Sequence, residues 1–556
     1  MALEPDAPLR DLDQIRAWIT SGVTLDFDRT PSPEEHDNTF GVYQHHDAVH
    51  ERLQEYIAFG AVEALPRDEV PTHGIQPLHV VVKNGKKVRL VIDLSRNLNA
   101  YLHYDYFSYS TVEDAAERSW QGCWYGKLDL TNCFLSFPLH PDAIPYFIFR
   151  FDGQLYRFVR VPFGLSTAPR VCTLLLSVVA YAIMRAGVSC VVRYLDDFLF
   201  IARSLEDCAR ALTLAQQVFT AFGLVVNPDK TEGPAQRISF LGIQLDSVAQ
   251  TLSCTPERIA ELTQLLSEAS RSARIPLSRL RTLIGKLSFA AQVLPGARPF
   301  MRRMLDLQQA AVEDLREQHT RQPSDRRFAQ RRRCMVEMDP GFQADTAFWL
   351  QHLGHWNGTQ RWRSSTRAPV TFATDASLGG WAFYVESVPA HIDSQRWPDH
   401  LRVGSGYSGT YAPEHHRLHG DAGQMTWCEL FAVYAALRTY AHLLEHQSVR
   451  VYIDNATDVA IINRQATRSS RLAGLLREIY ALTLEHNVHL RAEHRKGEDN
   501  VLADFLSRPE QHRDDHVRSW AVAHSANPSA VPPLSHVTVV SSQQFVNERL
   551  TPLWPT

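Results

Sequence analysis

The chain has 556 residues, 44% hydrophobic and 21% charged, a globular composition that is long enough for several domains and excludes a disordered chain. Its 57 lysines and arginines face 61 acidic residues, so the net charge of −4 announces no nucleic-acid partner; the distribution does, with 15 basic against 5 acidic residues from Arg271 to Arg333. Eight cysteines without a Cys-x-x-Cys pair exclude structural zinc and a disulfide framework and suit a reducing compartment.

Residues 1–45 are polar, with a short helical candidate at Leu12–Ile19; the start lacks a basic-then-apolar segment, so no secretory signal is expected. Residues 48–65 read as a helix ending at Pro66. Leu78–Lys83 and Lys87–Leu94 read as strands joined at Asn84-Gly85. Strand-like and helical segments then alternate to about residue 246, an α+β pattern. Lys127-Leu128-Asp129-Leu130 reads as a strand ending on an acid. Thr173–Met184 is apolar but too short to span a bilayer and reads as a buried helix. Val191-Val192, Tyr194-Leu195-Asp196-Asp197 and Phe198–Ile201 read as strand, tight turn and strand, with two adjacent acids at the turn. Like charges between apolar strands repel and need solvation. Divalent metal removes that cost, and Asp129 supplies the third carboxylate that a two-metal site needs. Taken singly, each acid reads equally well as a turn or strand-end carboxylate.

Residues 256–310 read as helical and arginine-rich, and 311–345 as a polar, basic linker. A new α/β pattern runs from about Pro369 to Arg508. In it, one strand ends on Asp375, Glu429 opens an apolar helix, a second strand ends on Asp454, and Asp504 lies in a last helix. Four carboxylates at strand ends and helix starts suit two divalent ions. The segment 511–556 is Ser/Pro/Val-rich with little periodicity and is expected to be loosely ordered or a docking piece.

The order of these motifs resembles reverse transcriptases over roughly residues 48–300. The most specific match is Val161-Pro162-Phe163-Gly164-Leu165-Ser166-Thr167-Ala168-Pro169, similar to a segment of retrotransposon enzymes. The resemblance implies a right-hand polymerase of fingers, palm and thumb. It makes Asp129, Asp196 and Asp197 the metal acids, with Tyr194 preceding them. Lys83 and Arg89 would clamp the nucleotide triphosphate, by point charge and by guanidinium fork. Phe134, five residues past Asp129, would be a steric gate against a ribose 2′-hydroxyl, and Phe163-Gly164 would lie against nucleotide and template. Lys230 would protonate the leaving pyrophosphate, and Leu241-Gly242 would form the primer grip. Phe134 reads equally as a core residue and Lys230 as a loop lysine. Where the family reads Asp-x-Arg after the second fingers strand, this chain has Asp93-Leu94-Ser95-Arg96, one residue longer. Leu283–Gln292 is similar to the thumb helix of retroviral enzymes. Gly285, Lys286 and Phe289, with Arg279 and Arg281 nearby, would follow a minor groove.

Residues 369–508 resemble ribonuclease H, an α/β domain, with Asp375, Glu429, Asp454 and Asp504 as its metal acids and His494 as its product-releasing histidine. Asp499 is the rival for the last acid. The segment from Glu386 to Met425 is expected to be an inserted loop, and His415, His416 and His419 within it lack the spacing of a metal site. Ile15–Val23, Asp93-Leu94-Ser95 and Trp349…Trp356-Asn357-Gly358 look most like DIRS-type retrotransposons, next to gypsy-like LTR elements.

The expected organisation is an N-terminal extension (1–45), fingers and palm (46–246), a thumb-like region (247–310), a basic linker or connection (311–368), ribonuclease H (369–510) and a tail (511–556). The expected enzyme is an RNA- and DNA-dependent DNA polymerase that also cleaves the RNA strand of hybrids, with two Mg²⁺ or Mn²⁺ per active site. Its partners would be RNA template, DNA primer, RNA/DNA hybrid, dNTPs and other element-encoded proteins, without a membrane, inside the cell in cytoplasm or nucleus. The rivals are an RNA-dependent RNA polymerase, against which Phe134 argues, and a non-catalytic nucleic-acid-binding protein.

Overall fold

The computed structural model describes residues 11–83, 87–95, 97–294, 296–321, 334–358, 369–389, 403, 405–411, 424–508 and 536–540. The fold is α+β, in two compact units, Met1–Gln250 and Thr251–Thr556.

The first unit is built on a hairpin and a four-stranded sheet. Helix α1 (Leu12–Ser21) buries Ile15 and Trp18, so the N-terminal segment joins the core rather than trailing from it. Helix α2 (His46–Ala58) buries Val49, Leu53 and Tyr56 at helical spacing. Strands β1 (Leu78–Lys83) and β2 (Lys87–Ile92) form an antiparallel hairpin, whose turn at 84–86 lies outside the described residues. The sheet has the order β6 (Glu232–Ala235), β3 (Trp124–Asp129), β5 (Asp197–Ala202), β4 (Val191–Tyr194). Between β3 and β4 the chain forms α3 (Ala168–Arg185), with proline in its first turn where a missing N–H costs nothing. This is the long apolar helix anticipated from the sequence, and it is buried in the unit's core. Helix α4 (Leu205–Ala221) packs on the sheet, and strands β7 (Arg237–Phe240) and β8 (Ile243–Asp246) make a final hairpin.

In the second unit, helices α5 (Pro256–Ser270) and α6 (Leu277–Ala290) pack together, with strand β9 (Arg274–Pro276) between them in sequence. Helix α7 (Arg302–Arg321) follows. The described residues of the expected linker, 311–321 and 334–358, carry regular elements. Strand β10 (Met335–Glu337) pairs with β9, and helix α8 (Pro340–Trp356) packs on α5. Its Phe348 ring stacks on Phe300, and its Trp349 indole donates to the Phe300 carbonyl at 3.0 Å. Asp339 caps α8 by accepting from the Phe342 N–H at 2.6 Å.

The rest of the unit is a six-stranded mixed sheet. Its order is β15 (His489–His494), β14 (Ser448–Ile453), β11 (Val370–Ala376), β12 (Gly380–Ser387), β13 (Ser405–Thr410), β16 (His536–Val540). Strand β11 is buried along its whole length because both faces are covered. Helix α9 (Gln424–Tyr440) covers one face, with Tyr440 stacked on Phe372. The short helix α12 (Val501–Leu506) packs on Ala373 and Ala382, the alternate residues. Helices α10 (Ala456–Arg464) and α11 (Ser470–Glu485) complete the layer. One expectation changes here: the Glu386–Met425 segment, read as a loop, contributes strand β13. The tail, expected to be loosely ordered or a docking piece, contributes strand β16, which pairs with β13.

Candidate active sites

In the first unit, antiparallel register brings the acids together. Asp197 on β5 is the direct partner of Asp129 on β3, so both carboxylates stand at one end of the sheet. Leu195 takes the turn at φ +51, and the Leu130 N–H donates to the Asp196 carbonyl at 3.1 Å. Asp129 is 3% exposed. Its carbonyl accepts from the Asn227 N–H at 2.8 Å, which carries the following turn past the acids. Lys230 on that turn donates to both Asp129 carboxylate oxygens at 2.8 Å.

Electrostatics follow from this crowding. Burial, then the Asp196 and Asp129 charges, push the Asp197 carboxyl up to about 7. Burial also raises Asp196, with Asp129 adding to it and Lys230 and Arg89 opposing. For Lys230, burial works downward, but the Asp129 hydrogen bond and the surrounding carboxylates prevail and raise it.

Beside the acids lies an aromatic pocket wall. Phe134, half-buried at the start of a short 3-10 turn, meets Phe163 edge-on at 5.4 Å, and the Arg89 guanidinium sits 4.6 Å over the Phe163 ring. Gly164 has φ +113, and a Cβ there would stand 1.9 Å from the Ile92 carbonyl oxygen, so only glycine lets this loop cross the β2 strand. The Ile92 N–H donates to the Phe163 carbonyl at 3.0 Å. Asn99 braces the loop from both sides, donating to the Gly164 carbonyl and accepting from the Ser166 N–H, each at 2.9 Å. Sequence reasoning missed Asn99, whose partners lie more than sixty residues away. Tyr194 packs on Tyr109 at 4.9 Å. Leu241 and Gly242 form the two-residue β7–β8 turn, both at positive φ. The Lys83 side chain and Arg96 lie outside the described residues.

On α6, Gly285 is open and exposed, with nothing near its Cα face. Two of the cations read for a groove are paired within the helical pair. Lys286 meets Glu261 at 2.7 Å, Arg279 meets Glu268 at 3.3 Å, and Arg258 covers the Phe289 ring at 4.2 Å. Such solvent-facing pairs are worth about 0–1 kcal/mol, so a phosphate can replace the carboxylate at little cost.

In the second unit, Asp375 on β11, Glu429 on α9 and Asp454 after β14 converge. One oxygen from each lies within 4.8 Å of the others. Among the described residues this is the set of three that meets so closely; Asp129, Asp196 and Asp197 do not. Asp375 and Glu429 are 3% and 2% exposed. Burial pushes Asp375 up to about 8, against the Ser507 hydrogen bond and with Asp454 and Asp504 adding to it. Burial, then Asp375, Asp454 and Asp458, push Glu429 up to about 10. Burial and Asp504 raise Asp454.

Asp504 stands at the edge of this group, ion-paired with Arg508 one turn on. Its rival Asp499 lies exposed on a 3-10 turn. The His494 Nε2 is 3.0 Å from the Asp454 carbonyl, beside the acids. The Ser507 hydroxyl, absent from the sequence reading, donates to Asp375 at 2.7 Å. His415, His416 and His419 lie outside the described residues.

Residues 81–245 match the family model described as reverse transcriptase (RNA-dependent DNA polymerase). The chain is 25% identical over 198 residues to a putative enzymatic polyprotein of Cassava vein mosaic virus, covering 35% of this chain and 29% of that protein. It is 29% identical over 127 residues to a Gag-Pro-Pol polyprotein of squirrel monkey retrovirus (21% and 7%). It is 27% identical over 203 residues to a retrovirus-related Pol polyprotein from transposon 412 of Drosophila melanogaster (35% and 16%). The chain therefore spans less than a third of the length of these relatives. A foamy viral protease–reverse transcriptase dRH, solved with double-stranded DNA, aligns at 13% identity and TM-score 0.49, covering 89% of this chain and 83% of that one.

Proposed function

From a reverse transcriptase domain at residues 81–245, of the kind carried by retroelement and retroviral polyproteins, we propose that this chain copies RNA and then DNA into DNA. We further read the second unit as a nuclease that removes the RNA strand of the hybrid. The observation that carries the polymerase reading is the Asp129–Asp197 register beside the Phe134–Phe163–Arg89 wall.

The residues fit divalent cations in both places. In the first, the carboxylates are crowded enough to lift Asp197 to about 7 despite the opposing charge of Lys127, and Lys230 and Arg89 do not offset the burial that raises Asp196. In the second, two buried acids and the half-buried Asp454 meet within 4.8 Å, and the Glu429 Oε2 has no hydrogen-bond partner. Asp129, Asp196 and Asp197 would hold Mg²⁺ or Mn²⁺ in one site, and Asp375, Glu429, Asp454 and Asp504 in the other. Bound there, two such cations supply charge neutralisation at the attacking and leaving oxygens.

The chain's own groups do the rest. Arg89 and Lys83 grip the incoming triphosphate. Phe134 fills the space a ribose 2′-hydroxyl needs. Lys230, kept protonated beside Asp129, delivers its proton to the leaving pyrophosphate. In the nuclease site Ser507 fixes the Asp375 carboxylate, and His494 stands where product must leave. The lead-in Ile15–Val23 and the Asp93-Leu94-Ser95 run support a DIRS-type element as the source.

Primer extension on an RNA template, comparing dNTPs with rNTPs, tests the reading. Incorporation of dNTPs alone is expected, and equal use of rNTPs would remove Phe134 from its role. Phe134→Val should raise rNTP use relative to dNTP use by about 10²-fold, the scale on which a shaped apolar wall discriminates. An unchanged ratio in that variant would assign the ring to the core instead.

A further inference from the structure

We propose that Asp458 is a fifth acid of the C-terminal site and takes part in holding a divalent cation beside Asp375, Glu429 and Asp454; the inference rests on the nuclease reading of that site. Asp458 is the third residue of α10, whose N-cap is Asn455. An acid at that position ordinarily reaches back to the N-cap amide from the surface. Here its side chain is wholly buried, and neither carboxylate oxygen has a hydrogen-bond partner. Capping does not account for it, because Asn455 already caps the helix by accepting from the Thr457 N–H at 2.9 Å.

A buried carboxylate without a partner costs several kcal/mol, so its surroundings must offer something that offsets the cost. The surroundings identify what that is. Asp458 lies four residues beyond Asp454, a member of the close triad that stands just before the N-cap of α10, and α10 packs against α9, which carries Glu429. The negative charge of Asp454 bears on Asp458, and that of Asp458 on Glu429. The Glu429 Oε2 is the other partnerless carboxylate oxygen of this site. Partnerless buried acids on adjoining helices share a deficit of positive charge and of ligands for their lone pairs. A hard divalent cation, which takes six or more oxygens, supplies both. An asparagine or alanine at this position would spare the helix the buried charge, so packing alone gives no reason for aspartate.

The test is Mn²⁺ binding to the full chain, followed by the electron paramagnetic resonance of free Mn²⁺. The starting protein carries Asp196→Asn and Asp197→Asn, which silences the polymerase acids. Adding Asp458→Asn should weaken Mn²⁺ binding about tenfold, the scale of a lost supporting ligand. It should also shrink the rise in melting temperature that Mn²⁺ produces, while raising the melting temperature without cation. Asp458→Ala, which brings no new polar group, carries the same expectation should the asparagine variant fail to fold. Adding Asp375→Asn instead is the control. Full affinity in the Asp458 variants with affinity lost in Asp375→Asn overturns the role of Asp458 and leaves the site standing. Full affinity in all of them overturns the metal reading of the site itself.

Discussion

Asp196→Asn together with Asp197→Asn will reduce dNTP incorporation by at least about 10³-fold, because several kcal/mol of charge stabilisation depend on those carboxylates. The same variant will be more stable than the parent in cation-free buffer at pH 8. Asparagine keeps the shape and removes the mutual repulsion. The pH dependence identifies the cause. Asp197 rises from the ordinary 3.8 to about 7 through burial and its two acidic neighbours. Between those values the folded chain holds a proton that the unfolded chain has released. Parent stability from this group is therefore fully present below about pH 4 and is lost as pH rises toward 7. The gap between variant and parent should open across that window and stay flat above it. Melting curves at pH 4, 6 and 8 beside primer extension would check this. Extension near the parent rate, or a variant less stable at pH 8, would contradict the assignment.

Glu429→Gln will separate the two activities. Cleavage of the RNA strand in a hybrid should fall about 10³-fold, while primer extension on the same substrate persists. Glu429 is raised from 4.5 to about 10, first by burial and then by Asp375, Asp454 and Asp458. Its charged form is unfavourable in the cation-free fold, so the glutamine variant should gain stability progressively as pH rises above about 5. A gel assay with a labelled RNA strand reads the first effect and calorimetry the second. Loss of extension along with cleavage would mean that the substitution disturbs more than one site.

The acids of both sites were legible in the sequence because each breaks a local rule. Asp129, Asp375 and Asp454 end runs of apolar strand residues, and Asp196-Asp197 interrupt one. Such positions are costly without a function, and register then did the assembling. Partners that act across distance were not legible. Asn99 meets Gly164 and Ser166, and Ser507 meets Asp375, through separations that no periodicity encodes. Asp458 stands where first-turn helix acids ordinarily do, and its burial and partnerless oxygens, which distinguish it, are visible only in the fold. The helix Pro340–Trp356 was not read because its first turn falls at the end of the polar, basic stretch 311–345, while its core residues Phe348, Trp349 and Leu353 lie beyond that stretch. The strand Ser405–Thr410 was hidden by its glycines, which suggest a loop but here let the backbone lie against the Trp381 ring.

The close crossing of Gly164 over Ile92 also fixes where the β1–β2 hairpin bends. Its root is a fulcrum. Ile92 is bound to Phe163 and pressed by the glycine, Leu78 is held by the Asn38 side chain at 2.8 Å, and both are fully buried. Beyond the root the outer strand is half-bare, with Val81 and Val82 46% and 40% exposed. A lever pinned in this way flexes along its free arm. In the proposed polymerase, a movement that grips a nucleotide would bend this arm and carry Arg89 further than Ile92. Hydrogen exchange should grade accordingly, slowest at Leu78 and Ile92 and faster at Val82. Uniform exchange along the hairpin would show that its root is held no more firmly than its arm.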